Sequence, residues 1–167
     1  MVLTALQEYG IRCLLQLAKQ PLGQLLTVRQ IADAEGLSTD YVEKILNYLR
    51  SEGLTTSIRG AHGGYLLTRP ANEITLGEAL RALGDVLYGR GFCDRFTGVL
   101  DECVHLHNCG IRPVWAFLTR EIYRILSRTT LADFLQEEAV VVSLLPGKTR
   151  ELGQKEEKGE GQGNGRG

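Results

Sequence analysis

At 167 residues with a formal net charge of −1 and 23% charged side chains, the chain has room for one core-bearing body and an appendage, not for two large domains. From so even a balance neither long-range attraction to nucleic acid nor repulsion from it can be read, so any partner's charge has to be read locally. The opening MVLTALQEYGIRCLL lacks a basic segment followed by an apolar core and a cleavage site, and no stretch approaches a membrane span, so a cytoplasmic chain with reduced thiols is expected.

In chain order, Thr4 and Gln7 are spaced as a capping box, and Leu6, Ile11, Leu14, Leu15 and Ala18 follow on one stripe. This predicts a helix over 4–19 that ends before Pro21. Cys13 lies mid-helix among apolar neighbours and is read as a small buried group. A second box, Thr27 with Gln30, opens a helix that turns Ile31 and Ala32 inward and stops at Gly36, which tolerates the left-handed backbone of a tight turn. Val42, Ile45, Leu46 and Leu49 then recur at i, i+3, i+4, i+7, so another helix follows at once with Ser38 to Lys44 at its start. Two helices joined this way are a helix-turn-helix.

LTTSIRGAHGGYLLTRP reads as two β-prone runs around a glycine-rich tip, Gly60 to Gly64, closed by Pro70. Thr75 and Glu78 form a third capping box, for LGEALRAL, after which Gly84, Gly89 and Gly91 break the pattern. Residues 93–109, CDRFTGVLDECVHLHNC, then hold three of the four cysteines and two of the three histidines in an irregular loop. Pro113 suits the first residue of a further helix, on which Val114, Phe117, Leu118, Ile122 and Ile125 share a stripe too apolar to face water alone. That stripe is expected in a twofold dimer interface. Trp115 is assigned to packing beneath the loop or in the same interface. Thr130 to Leu135 reads as one or two further helical turns, and 146–167 as a disordered, glycine-rich, charged tail.

The expected fold is mainly α: a winged helix-turn-helix over 1–84 with a small β-hairpin wing, a loop over 85–112, and a dimerisation helix with a following short helix over 113–136. A helix-turn-helix followed by a hairpin presents its second helix to the major groove and its hairpin tip to the adjoining backbone or minor groove. Ser38, Thr39, Asp40, Tyr41, Glu43 and Lys44 are the expected contacts on the helix, with Asp40 and Glu43 suited to cytosine amino groups. Arg59 and His62 are the expected contacts on the wing. No carboxylate pair, Ser/His/Asp set or phosphate-binding glycine loop stands out, and an enzyme is not expected. Three thiols on one loop suit an iron–sulfur cluster or zinc, although the spacing has no CxxC knuckle of the structural zinc kind. A thiol-redox switch is the remaining alternative.

The run LTVRQIADAEGLSTDYVEKILNYLRSEGL, followed by SIRGAHGGYLLTRPANEITLGEAL and by three cysteines ahead of a Trp-bearing helix, resembles the Rrf-two family, in particular its IscR- and NsrR-like iron–sulfur members. The likeness covers residue 1 to about Leu135. It implies a homodimeric winged-helix transcription factor that binds palindromic double-stranded operator DNA, usually as a repressor, with contacts from STDYVEK and Arg59. It also implies that Cys93, Cys103 and Cys109 hold a 2Fe-2S or 4Fe-4S cluster together with one non-cysteine ligand. One branch of the family uses a histidine where Arg112 stands here, which cannot ligate a metal. Another uses a carboxylate on the first helix of the other subunit, the place of Glu8. Against that role, Glu8 is also spaced to pair with Arg12 at i, i+4, and His105 and His107 compete as ligands.

Overall fold

A computed structural model describes residues 3–60, 63–84, 88–89 and 91–144. Within a first unit, Met1–Leu135, the elements are α1 (Ala5–Ala18), α2 (Val28–Glu35), α3 (Thr39–Ser51), β1 (Thr55–Ile58), β2 (Gly64–Leu67), α4 (Leu76–Leu83) and α5 (Arg112–Leu126). A mainly helical chain with one two-stranded antiparallel hairpin is what the periodicities predict.

The three capping boxes form as read. In each, the threonine Oγ1 accepts from the backbone N–H three residues on, and that residue's side chain accepts from the threonine N–H, at 2.9–3.2 Å. Each box satisfies two orphan N–H groups of a helix start. The backbone hydrogen bond from Thr75, with help from Arg69, holds the Glu78 carboxyl below the usual carboxylate range. A depressed carboxyl stabilises the fold above its unfolded-state pKa, and the contribution fades as pH falls through the folded value. Glu78→Gln, which keeps the cap, should therefore flatten the acid limb of a stability-against-pH curve measured by urea unfolding.

The hairpin pairs Thr55 with Leu67 through Ile58 with Gly64. Leu26 extends it from the other side, exchanging both backbone hydrogen bonds with Tyr65 at 2.9 and 2.8 Å. That approach needs Gly64, because a Cβ there would stand 2.5 Å from the Leu26 carbonyl oxygen. Backbone cannot swing aside as a side chain can. Gly64→Ala should cost roughly 1–3 kcal/mol in urea unfolding, as overpacking does.

Leu14, Ile31, Ile45, Leu46, Leu49 and Ile74 are fully buried in one core with Cys13. Leu131 completes that core from beyond α5: the Leu76 N–H donates to Thr129 O (2.8 Å) and the Leu131 N–H to Ile74 O (2.9 Å), which draws the chain back onto the start of α4. Residues 130–135 thus become a core plug ending in a single 3-10 turn, Asp133–Leu135. A second unit, Gln136–Gly167, contains α6 (Glu138–Leu144), which the sequence reading did not foresee. The tail expected over 146–167 lies outside the described residues.

Candidate nucleic-acid interface and cysteine loop

α3 buries Val42, Ile45, Leu46 and Leu49 and so leaves its other face to solvent. Asp40, Glu43, Lys44, Asn47, Tyr48 and Ser51 line that outer face together. Ser38 caps the helix, its Oγ accepting from the Tyr41 N–H at 3.3 Å, and is exposed with Thr39. Tyr41 is set apart from the other expected contacts. Its ring is half-buried and meets Tyr9 of α1 edge-on, centroids 6.0 Å apart.

A groove runs between this face and the hairpin, lined by Thr27 from the start of α2, Glu43, Asn47 and Arg50 from α3, and Ser57 and Arg59 from the wing. Arg59 is exposed on its wall. His62 lies outside the described residues. Gly63 keeps the tip narrow, since a Cβ there would stand 2.3 Å from Ile58 O. The sequence reading missed Asn47, Arg50 and Ser57. Helical spacing from Glu43 and Lys44 could have found the first two; Ser57 joins only through tertiary contact, accepting from Arg50 Nη1 at 3.3 Å.

Cys93, Cys103 and Cys109 are all free thiols, half-buried, on the loop ahead of α5. Cys93 begins a 3-10 turn, Cys93–Arg95, flanked by Phe92 and Phe96 with ring centroids 4.9 Å apart. Among the described residues, no group of three or more His, Cys, Asp and Glu side chains stands close enough to hold a metal ion. The donor chemistry nevertheless fits a soft-metal group: three accessible thiols, none spent in a disulfide. Cys13 does not fit one, because burial, reinforced by the nearby Glu35 carboxylate, pushes its thiol up to about 12. It stays protonated in the core, as expected from its place on α1.

Glu8 is 55% exposed and its carboxylate lies 3.4 Å from Arg12. Arg12 also reaches Glu35, at 3.7 Å, whose side chain is only 11% exposed. His105 and His107 are exposed on the loop. Arg112 donates from Nη2 to the carbonyl oxygens of Leu106 (2.6 Å) and His105 (3.3 Å). On α5, Thr119 and Tyr123 face the body of the unit, while Val114, Phe117, Leu118 and Ile125 are exposed and Ile122 is half-buried.

A family model described as Rrf2, iron-dependent transcriptional regulator, matches residues 3–137. The chain belongs to the Rrf2 family. It is 34% identical to the protein rrf2 of Nitratidesulfovibrio vulgaris over 140 residues, which is 84% of this chain and 91% of that protein. Among solved structures of Rrf2 regulators it is similar to CymR, the global cysteine regulator of B. subtilis, at 27% identity and a TM-score of 0.60, covering 80% of this chain and 95% of that one. It is similar also to T. potens IscR, at 28% identity and a TM-score of 0.57, covering 81% and 86%. The winged-helix architecture is thus the Rrf2 architecture, and the protein is a transcriptional regulator. Among the described residues no helix is long and apolar enough to cross a membrane.

Proposed function

We propose that this Rrf2 regulator binds double-stranded operator DNA as a homodimer, acting as a repressor, and that an iron–sulfur cluster held by the cysteine loop sets its operator affinity. The observation that carries the DNA reading is the groove between the outer face of α3 and the wing, lined by Glu43, Asn47, Arg50 and Arg59. Glu43 and Asn47 suit base edges, and the arginines suit phosphate or a narrow minor groove. Arg59→Ala should weaken operator binding about tenfold or more at physiological salt, with the fold intact by circular dichroism. Unchanged affinity would count against the wing contact. Lys44→Ala should cause a smaller loss and reduce the salt slope by about one if that contact is to phosphate.

Cys93, Cys103 and Cys109 would hold the cluster, with Glu8 of the partner subunit as the fourth ligand. When bound, such a cluster supplies a group that responds to redox poise, nitric oxide or iron and sulfur supply. The chain's own part is to make two-subunit geometry depend on that group, since a loop on one subunit joined to α1 of the other restrains the spacing of the two α3 helices. A second reading, a cluster-free thiol-redox or zinc-stabilised regulator, is favoured by the three free, half-buried thiols and by the similarity to a cysteine regulator. Anaerobic purification with iron and sulfide analysis separates the two. Stoichiometric iron and sulfide with visible absorption supports the cluster; a colourless protein with neither supports the thiol or zinc reading.

A further inference from the structure

We propose that Arg112 is the positioning residue of the cysteine loop: it ties the turn between Cys103 and Cys109 to the first turn of α5, leaving the thiols free to act together. This rests on the reading that the loop thiols bind one group jointly.

The five residues between those cysteines have little else to hold them. Val104 is 73% exposed and Leu106 is exposed as well, so apolar packing does not order the segment. One backbone bond, Leu106 N–H to Cys103 O at 2.9 Å, shapes a turn. The two bonds from Arg112 Nη2, at 2.6 and 3.3 Å, then fasten that turn to the helix, and bonds from a charged donor are the stronger kind.

Helix formation does not explain an arginine here. α5 has no side-chain cap, and a cation in the first turn opposes the helix dipole. Arg112 Nε is moreover buried without an acceptor among the described residues, and a buried charged donor left unpaired is costly. A thiolate sulfur brought in as the loop closes on its ligand would supply that acceptor. Cys93 is held differently, at the start of a 3-10 turn whose flanking Phe92 and Phe96 rings pack together, Phe92 also against Tyr88, so Arg112 governs the Cys103–Cys109 half alone.

The test uses the full-length, reduced, metal-free chain. In Arg112→Ala, amide hydrogen exchange at Leu106, whose N–H closes the turn, should accelerate about tenfold or more while α1 and α3 keep their rates. Cadmium affinity, read from cadmium–thiolate absorption in the ultraviolet, should fall about 10- to 100-fold, as it does when a group supporting metal ligands is removed. Arg112→Lys, which keeps a charged donor without the Nε–H, should fall between wild type and Arg112→Ala in both. Wild-type behaviour of Arg112→Ala in either readout overturns the proposal. Should Arg112→Ala loosen the whole chain, Arg112→Lys decides: faster exchange at Leu106, with α1 and α3 unchanged, and weaker cadmium binding sustain the proposal, and wild-type values overturn it. Neither readout needs iron. A chain that fails the iron and sulfide analysis but passes here loses the cluster reading and keeps the positioning role, whereas absence of cadmium–thiolate absorption in the wild type removes both.

Discussion

Phe117→Asp is expected to turn the proposed homodimer into folded monomers. Phe117 is 50% exposed on α5, beside exposed Val114, Leu118 and Ile125, and an apolar row of that kind calls for a cover. In a twofold interface each substitution counts twice. Losing partial burial of two phenylalanines and placing two like charges in an apolar contact should raise the dimer dissociation constant by at least about a hundredfold. Sedimentation velocity at micromolar concentration checks this, with helicity and melting near wild type. Arg120, whose guanidinium lies 5.4 Å from the Phe117 ring centre, is placed to pair with the new carboxylate and keep the helix sound. Phe117 is a better probe than Ile122, which is half-buried within its own chain and would report on folding as well. A variant that stays dimeric moves the interface off α5.

Glu8→Ala should leave stability within about 0.5 kcal/mol, the worth of an exposed i, i+4 pair, yet shift the visible spectrum and speed cluster loss to a chelator about 10- to 100-fold. Arg12→Ala should do the reverse. Arg12 faces Glu35, which is 11% exposed and otherwise hydrogen-bonded to Gln16 Nε2. Removing the cation leaves a nearly buried carboxylate short of its partner, at a cost of about 1–3 kcal/mol in urea unfolding, with the spectrum unchanged. If Glu8 serves only its pair with Arg12, neither substitution moves the spectrum. A shift in His105→Ala or His107→Ala with Glu8→Ala silent puts the fourth ligand in the loop and removes the link to the other subunit.

Much of the DNA-facing half was legible because its signals are local. A capping box is a contact between residues three apart, so Thr4–Gln7, Thr27–Gln30 and Thr75–Glu78 announce helix starts without knowledge of anything distant. Gly36 ends α2 at φ 66, a conformation that glycine meets at little cost. Once Val42, Ile45, Leu46 and Leu49 are assigned inward, geometry alone turns Asp40, Glu43 and Lys44 outward. The same rule carried one turn further would have reached Asn47 and Arg50.

The cysteine half was less legible. Thiol composition marks the loop as a ligand-bearing segment, but loop backbone follows no period, and its path depends on what fastens it. Arg112 shows the difference: in sequence it is only a residue unable to ligate a metal, and its hold on Leu106 and His105 comes from the way α5 meets the loop.

By itself the amino-acid sequence determined the starts of α1 to α4, the helix-turn-helix, the glycine-rich wing and the burial of Cys13, because period, caps and turns act over a few residues. For α5, tertiary structure alone decided which side chains are inside. Period 3.6 puts Val114, Phe117, Leu118 and Ile125 on one face of α5 without saying what that face meets; the fold turns Thr119 and Tyr123 to the body. Leu131 fills the core because the chain after α5 pairs back onto Ile74 and Leu76, a contact across more than fifty residues. No local propensity encodes such a pairing, since its free energy comes from closing the core against a surface built elsewhere in the chain.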